Sequence, residues 1–149
     1  DPDLYLVTTA ICRYAKALAH AALGDVPSAI KEQKLFKDSV KKVPEDRVMF
    51  NNKCVDLLKI ADAMLNGEIE YRKNNFKVAF EYLNQAISNE DTLPYDEPWG
   101  WMQPARHALG ALLLEQGEIE RAEAVYKADL GFDDSLIRAR RHPNNVWSL

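Results

Sequence analysis

Cysteine is scarce in this chain. Only Cys12 and Cys54 occur among 149 residues, and neither sits at metal-ligating spacing. That argues against a disulfide framework and for a reducing, cytoplasmic compartment. Both fall in helix-like stretches, where a lone thiol reads as a small buried hydrophobe. Glycine is also sparse, six residues, and never gathers into a phosphate-cradling loop. There is no Gly-x-Ser-x-Gly and no dinucleotide fingerprint. No apolar run nears the ~20 residues that span a bilayer. An excess of basic residues is missing too. Nineteen Lys and Arg face 23 Asp and Glu, for a net charge of −4 and a pI near 5.4. That balance disfavours binding to a phosphate backbone. The start, Asp1-Pro2-Asp3, is acidic and carries no signal-like pattern.

What the chain does have is apolar content of 47%, enough for one packed domain. Its apolar residues recur at helical spacing. A first helix is read on Ile11, Tyr14, Ala15, Leu18, Ala19 and Ala22. Gly24-Asp25 is the turn, with Asp25 as cap and Pro27 in the first turn of the next helix. That second helix carries Ala29, Ile30, Gln33, Leu35, Phe36 and Val40 and stops at Pro44. A connector at 45–52 leads to a third helix on Val55, Leu57, Leu58, Ile60, Ala61, Met64, Leu65 and Ile69. Asn74-Asn75 stands where a glycine would turn the chain, because Asn tolerates the left-handed conformation. A fourth helix returns on Phe76, Val78, Ala79, Tyr82, Leu83, Ala86 and Ile87. Residues 90–101 hold Pro94, Pro98, Gly100 and two tryptophans, so no helix continues there. Residues 108–126 read as a further hairpin about Gly117, with Leu109, Leu113, Ile119, Val125 and Tyr126 around Gly110 and Ala122.

The three turns and the alanines that follow them (Ala29, Ala79, Ala122), with small residues at Ala17, Gly67 and Gly110 in the preceding helices, resemble the tetratricopeptide repeat. The resemblance covers nearly the whole chain. The stretch 93–117 is similar to segments of larger, mostly microbial repeat proteins of undefined function. It implies an all-α superhelix of three helical hairpins, at about 4–43, 53–89 and 101–131, with residues 144–149 as the stub of a seventh helix. On this reading the chain is a fragment, or a fold whose last helix is missing. The turns lie 50 and 43 residues apart, from 24 to 74 and from 74 to 117, against about 34 in the usual repeat. This spacing does not predict the inter-repeat angles of a simple regular superhelix.

The resemblance also implies a use: a scaffold or adaptor that binds a peptide or helix in a concave groove, with no cofactor and no metal. Counted from the turns, groove positions fall on Tyr14, Leu18, Met64, Glu68, Tyr71, Arg72 and His107. The same spacing also suits inter-helix core for Tyr14, Leu18 and Met64. Tyr95, Trp99 and Trp101, with Met102, form either an aromatic lip for a partner or a plug at an irregular junction. From a different class comes a metal-binding or hydrolytic protein built on His20, Glu68 and His107, although no His-Glu-x-x-His or paired-histidine motif accompanies them. A structural spacer, or a homodimer sealed through an uncapped C-terminal edge, is a further reading. Arg138-Ala139-Arg140-Arg141-His142 reads as a solvated or carboxylate-paired run, not a nucleic-acid patch.

Overall fold

A computed structural model describes residues 4–143, 145 and 146. Among them are six α-helices: α1 Leu6–Ala22, α2 Val26–Val40, α3 Cys54–Arg72, α4 Phe76–Asp91, α5 Ala105–Glu115 and α6 Ile119–Leu130. Two short strands, β1 Val48–Met49 and β2 Asn52–Lys53, pair antiparallel between α2 and α3. A 3-10 turn spans Arg138–Arg140. The chain is all-α in the sense expected, and none of these helices is long and apolar enough to cross a membrane. The expected seventh-helix stub at 144–149 falls largely outside the described residues.

The chain divides into two compact units, Asp1–Trp101 and Met102–Leu149. The first holds two helical hairpins with α3 at its centre, against α1, α2 and α4. The second holds the α5–α6 hairpin and the segment after it.

Each hairpin turn is closed the same way. Gly24, Asn74 and Gly117 adopt left-handed backbone at φ 79°, 62° and 74°. At the first, Asp25 N–H donates to His20 O (2.9 Å) and Gly24 N–H to Ala21 O (2.8 Å). These two bonds, six-to-one and five-to-two, satisfy carbonyls that a helix end would otherwise leave bare. Asn75→Glu70 with Asn74→Tyr71, and Glu118→Leu113 with Gly117→Leu114, repeat the pattern. Gly131 (φ 75°) closes α6 likewise, with Phe132 N–H on Lys127 O. Asp25 caps α2 through Ser28 N–H at 3.1 Å. Helix crossings use the small residues expected: Ala17, Ala29, Ala79 and Ala122 are fully buried.

Several expectations need correction. The buried stripe of α1 is Ala10, Tyr14, Ala17 and Ala21, so Ile11, Ala15, Ala19 and Ala22 lie outside the core. An alanine-rich helix offers a second stripe one residue away. The face that wins is the one whose small side chains let the neighbouring helix approach. On α2, Ile30 and Leu35 are exposed, and Glu32 is buried in their place. Its carboxylate meets Lys16 (2.7 Å) and Arg13 (3.0 Å). The hydrogen bond from Lys16 is the main reason that its pKa is lowered. Cys54 is buried but Cys12 is exposed. Ile119 is exposed rather than packed around Gly110. α5 begins only at Ala105, after Pro104, not at 101.

Candidate functional site

Three of the seven residues expected to line a groove are core. Tyr14, Met64 and Tyr71 are 5%, 7% and 3% exposed. For Met64 and Tyr71 the cause is the central position of α3, which neighbours cover on several sides; Tyr14, on α1, is covered by Phe36 and Trp101. Tyr71 stacks edge-on against Phe76 (5.1 Å between centroids) and tilts against Phe80. Tyr14 meets Phe36 and the edge of Trp101, at 6.2 and 5.8 Å. Leu18 is half-buried. Glu68 and Arg72 are paired with each other at 2.7 Å, and the Arg72 guanidinium lies 5.4 Å from the Tyr71 ring centre. His107 belongs to the second unit. The metal or hydrolytic set is not assembled within the first unit either: His20 faces Asp25 (3.4 Å) while Glu68 faces Arg72.

Burial also governs the Tyr14 hydroxyl, which has no hydrogen-bond partner among the described residues. Its pKa is pushed up to about 12 from an ordinary 10.0, by desolvation first and the Glu68 charge second. The folded state therefore holds the proton more tightly than the unfolded chain. This contribution to stability is whole below pH 10 and is lost as pH rises towards 12. Tyr14→Phe is expected to abolish that loss, worth about 2–3 kcal/mol, and to leave neutral-pH stability unchanged or slightly higher. Urea unfolding at a series of pH values checks both. A marked loss of stability at pH 7 would show that the hydroxyl is bonded.

The aromatic loop divides by burial. Trp101 is 9% exposed and packs on Tyr14, whereas Tyr95 and Trp99 are 52% and 44% exposed. The loop is braced against the β1–β2 hairpin, where the sequence indicates only a connector. Asp96 is buried, and its Oδ2 accepts from Asn51 N–H (3.2 Å) and from Asn52 Nδ2 (3.1 Å). Asn51 Nδ2 donates to Tyr95 O at 3.1 Å. Gly100 lies so close to Asn52 that a Cβ there would meet its side chain at 2.6 Å. On this frame Val48, Met49 and Phe50 are all exposed, Phe50 by 75%. Phe50 also takes φ 52° at the first position of the hairpin turn. Glycine normally supplies that conformation, and a bulky residue there is strained by about 1–2 kcal/mol.

In the second unit, a polar cluster forms around Asp129 in the last turn of α6. The carboxylate is fully buried. Its Oδ1 is 2.6 Å from His142 Nδ1 and its Oδ2 is 2.9 Å from His107 Nε2. His142 N–H also donates to Asp129 O at 2.6 Å. The two imidazoles stand edge to face, with 6.1 Å between centroids, and Asn145 Nδ2 reaches the same His107 Nε2 at 2.8 Å. Burial raises the pKa of the neighbouring Tyr126, and the Asp129 charge adds to the rise. Of these residues only His107 figured among the expected site residues. Asp129 and His142 are 13 positions apart through irregular chain, which no helical spacing connects. Their one sequence signal is a carboxylate at a helix C-terminus, where the macrodipole disfavours it.

No protein-family model, curated protein or solved structure matches this chain.

Proposed function

We propose that the chain is an interaction module of the tetratricopeptide type that binds an apolar segment of a partner protein. Its contact surface is the braced frame of residues 48–50 with Tyr95 and Trp99, in place of the core residues Tyr14, Met64 and Tyr71. One observation carries the reading. Large apolar side chains stand exposed on two segments bonded to each other, and one of them, Phe50, is held in a strained backbone conformation. Backbone strain persists only where the surroundings enforce it, and it concentrates at functional positions. Exposed aromatics on a preorganised support are the kind of anchor that contributes most to interface affinity. Helical hairpins with repeated turns and small crossing residues support the repeat-like scaffold behind it. Cys12 and Cys54, both free, support a reducing, cytoplasmic setting.

The reading sets stability against binding. Phe50→Gly relieves the left-handed strain and is expected to hold or raise stability, while with Trp99→Ser it loses the partner at least tenfold. Photo-crosslinking from position 49 in source lysate, run for wild type and the double variant, is the test. A protein crosslinked by wild type and lost in the folded variant supports the surface. Equal capture by both overturns it. A crosslink from the chain to a second copy, with a dimer in sedimentation that the variant breaks, replaces it with the homodimer reading.

A further inference from the structure

We infer that His107, Asp129 and His142 form a site for one zinc-class divalent cation, which fastens residues 131–143 to the α5–α6 hairpin. The site lies in the second unit and shares no residue with the proposed partner surface, so each can fail alone.

The donor set is the first ground. Two imidazole nitrogens and one carboxylate oxygen, from three separate stretches of chain, lie within 4.8 Å of one another. Imidazole with carboxylate is the ligand chemistry of zinc and its neighbours, and three protein ligands leave a fourth position for water or for Asn145. A tetrahedral ion with bonds of about 2.0–2.1 Å sets its donors about 3.3 Å apart. The closest pairs here, at 2.6 and 2.9 Å, are made by the two different carboxylate oxygens, so a shared ion needs these contacts to open by about 0.4–0.7 Å and the wider spacings, within 4.8 Å, to close towards the tetrahedral value.

Charge is the second ground. Asp129 is fully buried at the C-terminal end of a helix, where burial and macrodipole both oppose a negative charge. A cation between the carboxylate and the imidazoles answers both. Hydrogen bonding alone serves His107 poorly. Its Nε2 carries either one proton or one lone pair, yet it faces both Asp129 Oδ2 and the Asn145 amide. Whichever end of that amide faces it, one of the two contacts is left weak. A metal at Nε2 removes the competition.

The third ground is what holds the segment. Between 131 and 143 the only buried side chain is His142, while Phe132 and Ile137 are each 69% exposed. Leu136 and Ala139 are only half-buried, so the polar cluster is the segment's one buried side-chain attachment. A metal clip that closes an irregular loop offsets the entropy of ordering it.

The test uses the untagged full chain, stripped with chelator. Zinc titrated calorimetrically is expected to bind one equivalent, and cobalt is expected to give the visible absorption of a tetrahedral nitrogen–oxygen site. Asp129→Asn, His142→Gln and His107→Gln are each expected to weaken zinc at least tenfold, while His20→Gln leaves it unchanged. Tryptic cleavage at Arg138, Arg140 and Arg141 in wild type needs no variant. Zinc at ten times its dissociation constant should slow it about tenfold. No stoichiometric zinc overturns the site, as does binding that survives in variants of intact helix content. So does cleavage that zinc does not slow. The cluster is then a hydrogen-bonded brace without metal.

Discussion

Gly110→Leu is expected to unfold the α5–α6 hairpin. Gly110 sits where α5 meets the Tyr126 ring of α6, and a bare Cβ there would lie 2.5–2.9 Å from three atoms of that ring. Real contacts of that kind are near 3.5–4.0 Å, so even alanine forces the ring or the helix to move. Leucine adds three more carbons with nowhere to go. Overpacking of this kind costs about 3 kcal/mol, which is most of the stability a unit of this size commands. Guanidinium unfolding followed by hydrogen exchange in α5 and α6 reads the effect. An unchanged midpoint would mean that the helices do not cross at Gly110. Gly110→Ala, Tyr126→Ala and their double variant sharpen the test. If the clash is with the ring, the double variant loses less than the sum of the singles. Gly67 is the matching position in the first unit, its Cβ meeting Leu83 Cγ at 2.8 Å.

These crossings were legible in the sequence, and so were the turns. Gly24, Asn74 and Gly117 each adopt a conformation that few residues accept, and a small residue (Ala17, Gly67, Gly110) sits seven positions before each. Both are local signals with a steric cause. What was illegible depends on which of several compatible partners wins. Tyr14, Met64 and Tyr71 have the spacing of a surface stripe and of a core stripe alike, and only the central placement of α3, for Met64 and Tyr71, and the cover of Phe36 and Trp101, for Tyr14, assign them to the core. The burial of Glu32 depends on Arg13 and Lys16, which meet it from the facing helix and which no local spacing on α2 announces. The β1–β2 hairpin escaped because its turn carries Phe50 where a glycine would have announced it. A strained residue hides the element it belongs to, since the local preference points elsewhere. The same logic makes Phe50 interesting for function, because nothing in its own chemistry favours that backbone.

Asp129→Ala, studied in metal-free buffer, is expected to release the segment after α6. The buried carboxylate meets His142 Nδ1 and His107 Nε2 directly. Its removal leaves two imidazole nitrogens facing a space that methyl cannot fill or pair. Breaking a buried charge-assisted pair from one side costs about 3 kcal/mol, and His142 is the segment's only buried side chain between 131 and 143, with Leu136 and Ala139 half-buried. The amide of His142, bonded to Asp129 O, is the reporter. Its hydrogen exchange is expected to speed up about a hundredfold, in line with that cost, while amides in the middle of α5 keep most of their protection. Asp129→Asn retains an acceptor and the volume, so it should cost roughly half as much. If His142 stays protected in the alanine variant, the segment is ordered by contacts other than the imidazole–carboxylate cluster, and the clip has no structural task. If protection is lost and zinc fails to restore it in the variant while strengthening it in the wild type, the carboxylate serves both as hydrogen-bond acceptor and as ligand. That dual use explains why a charge is kept in the least favourable turn of α6.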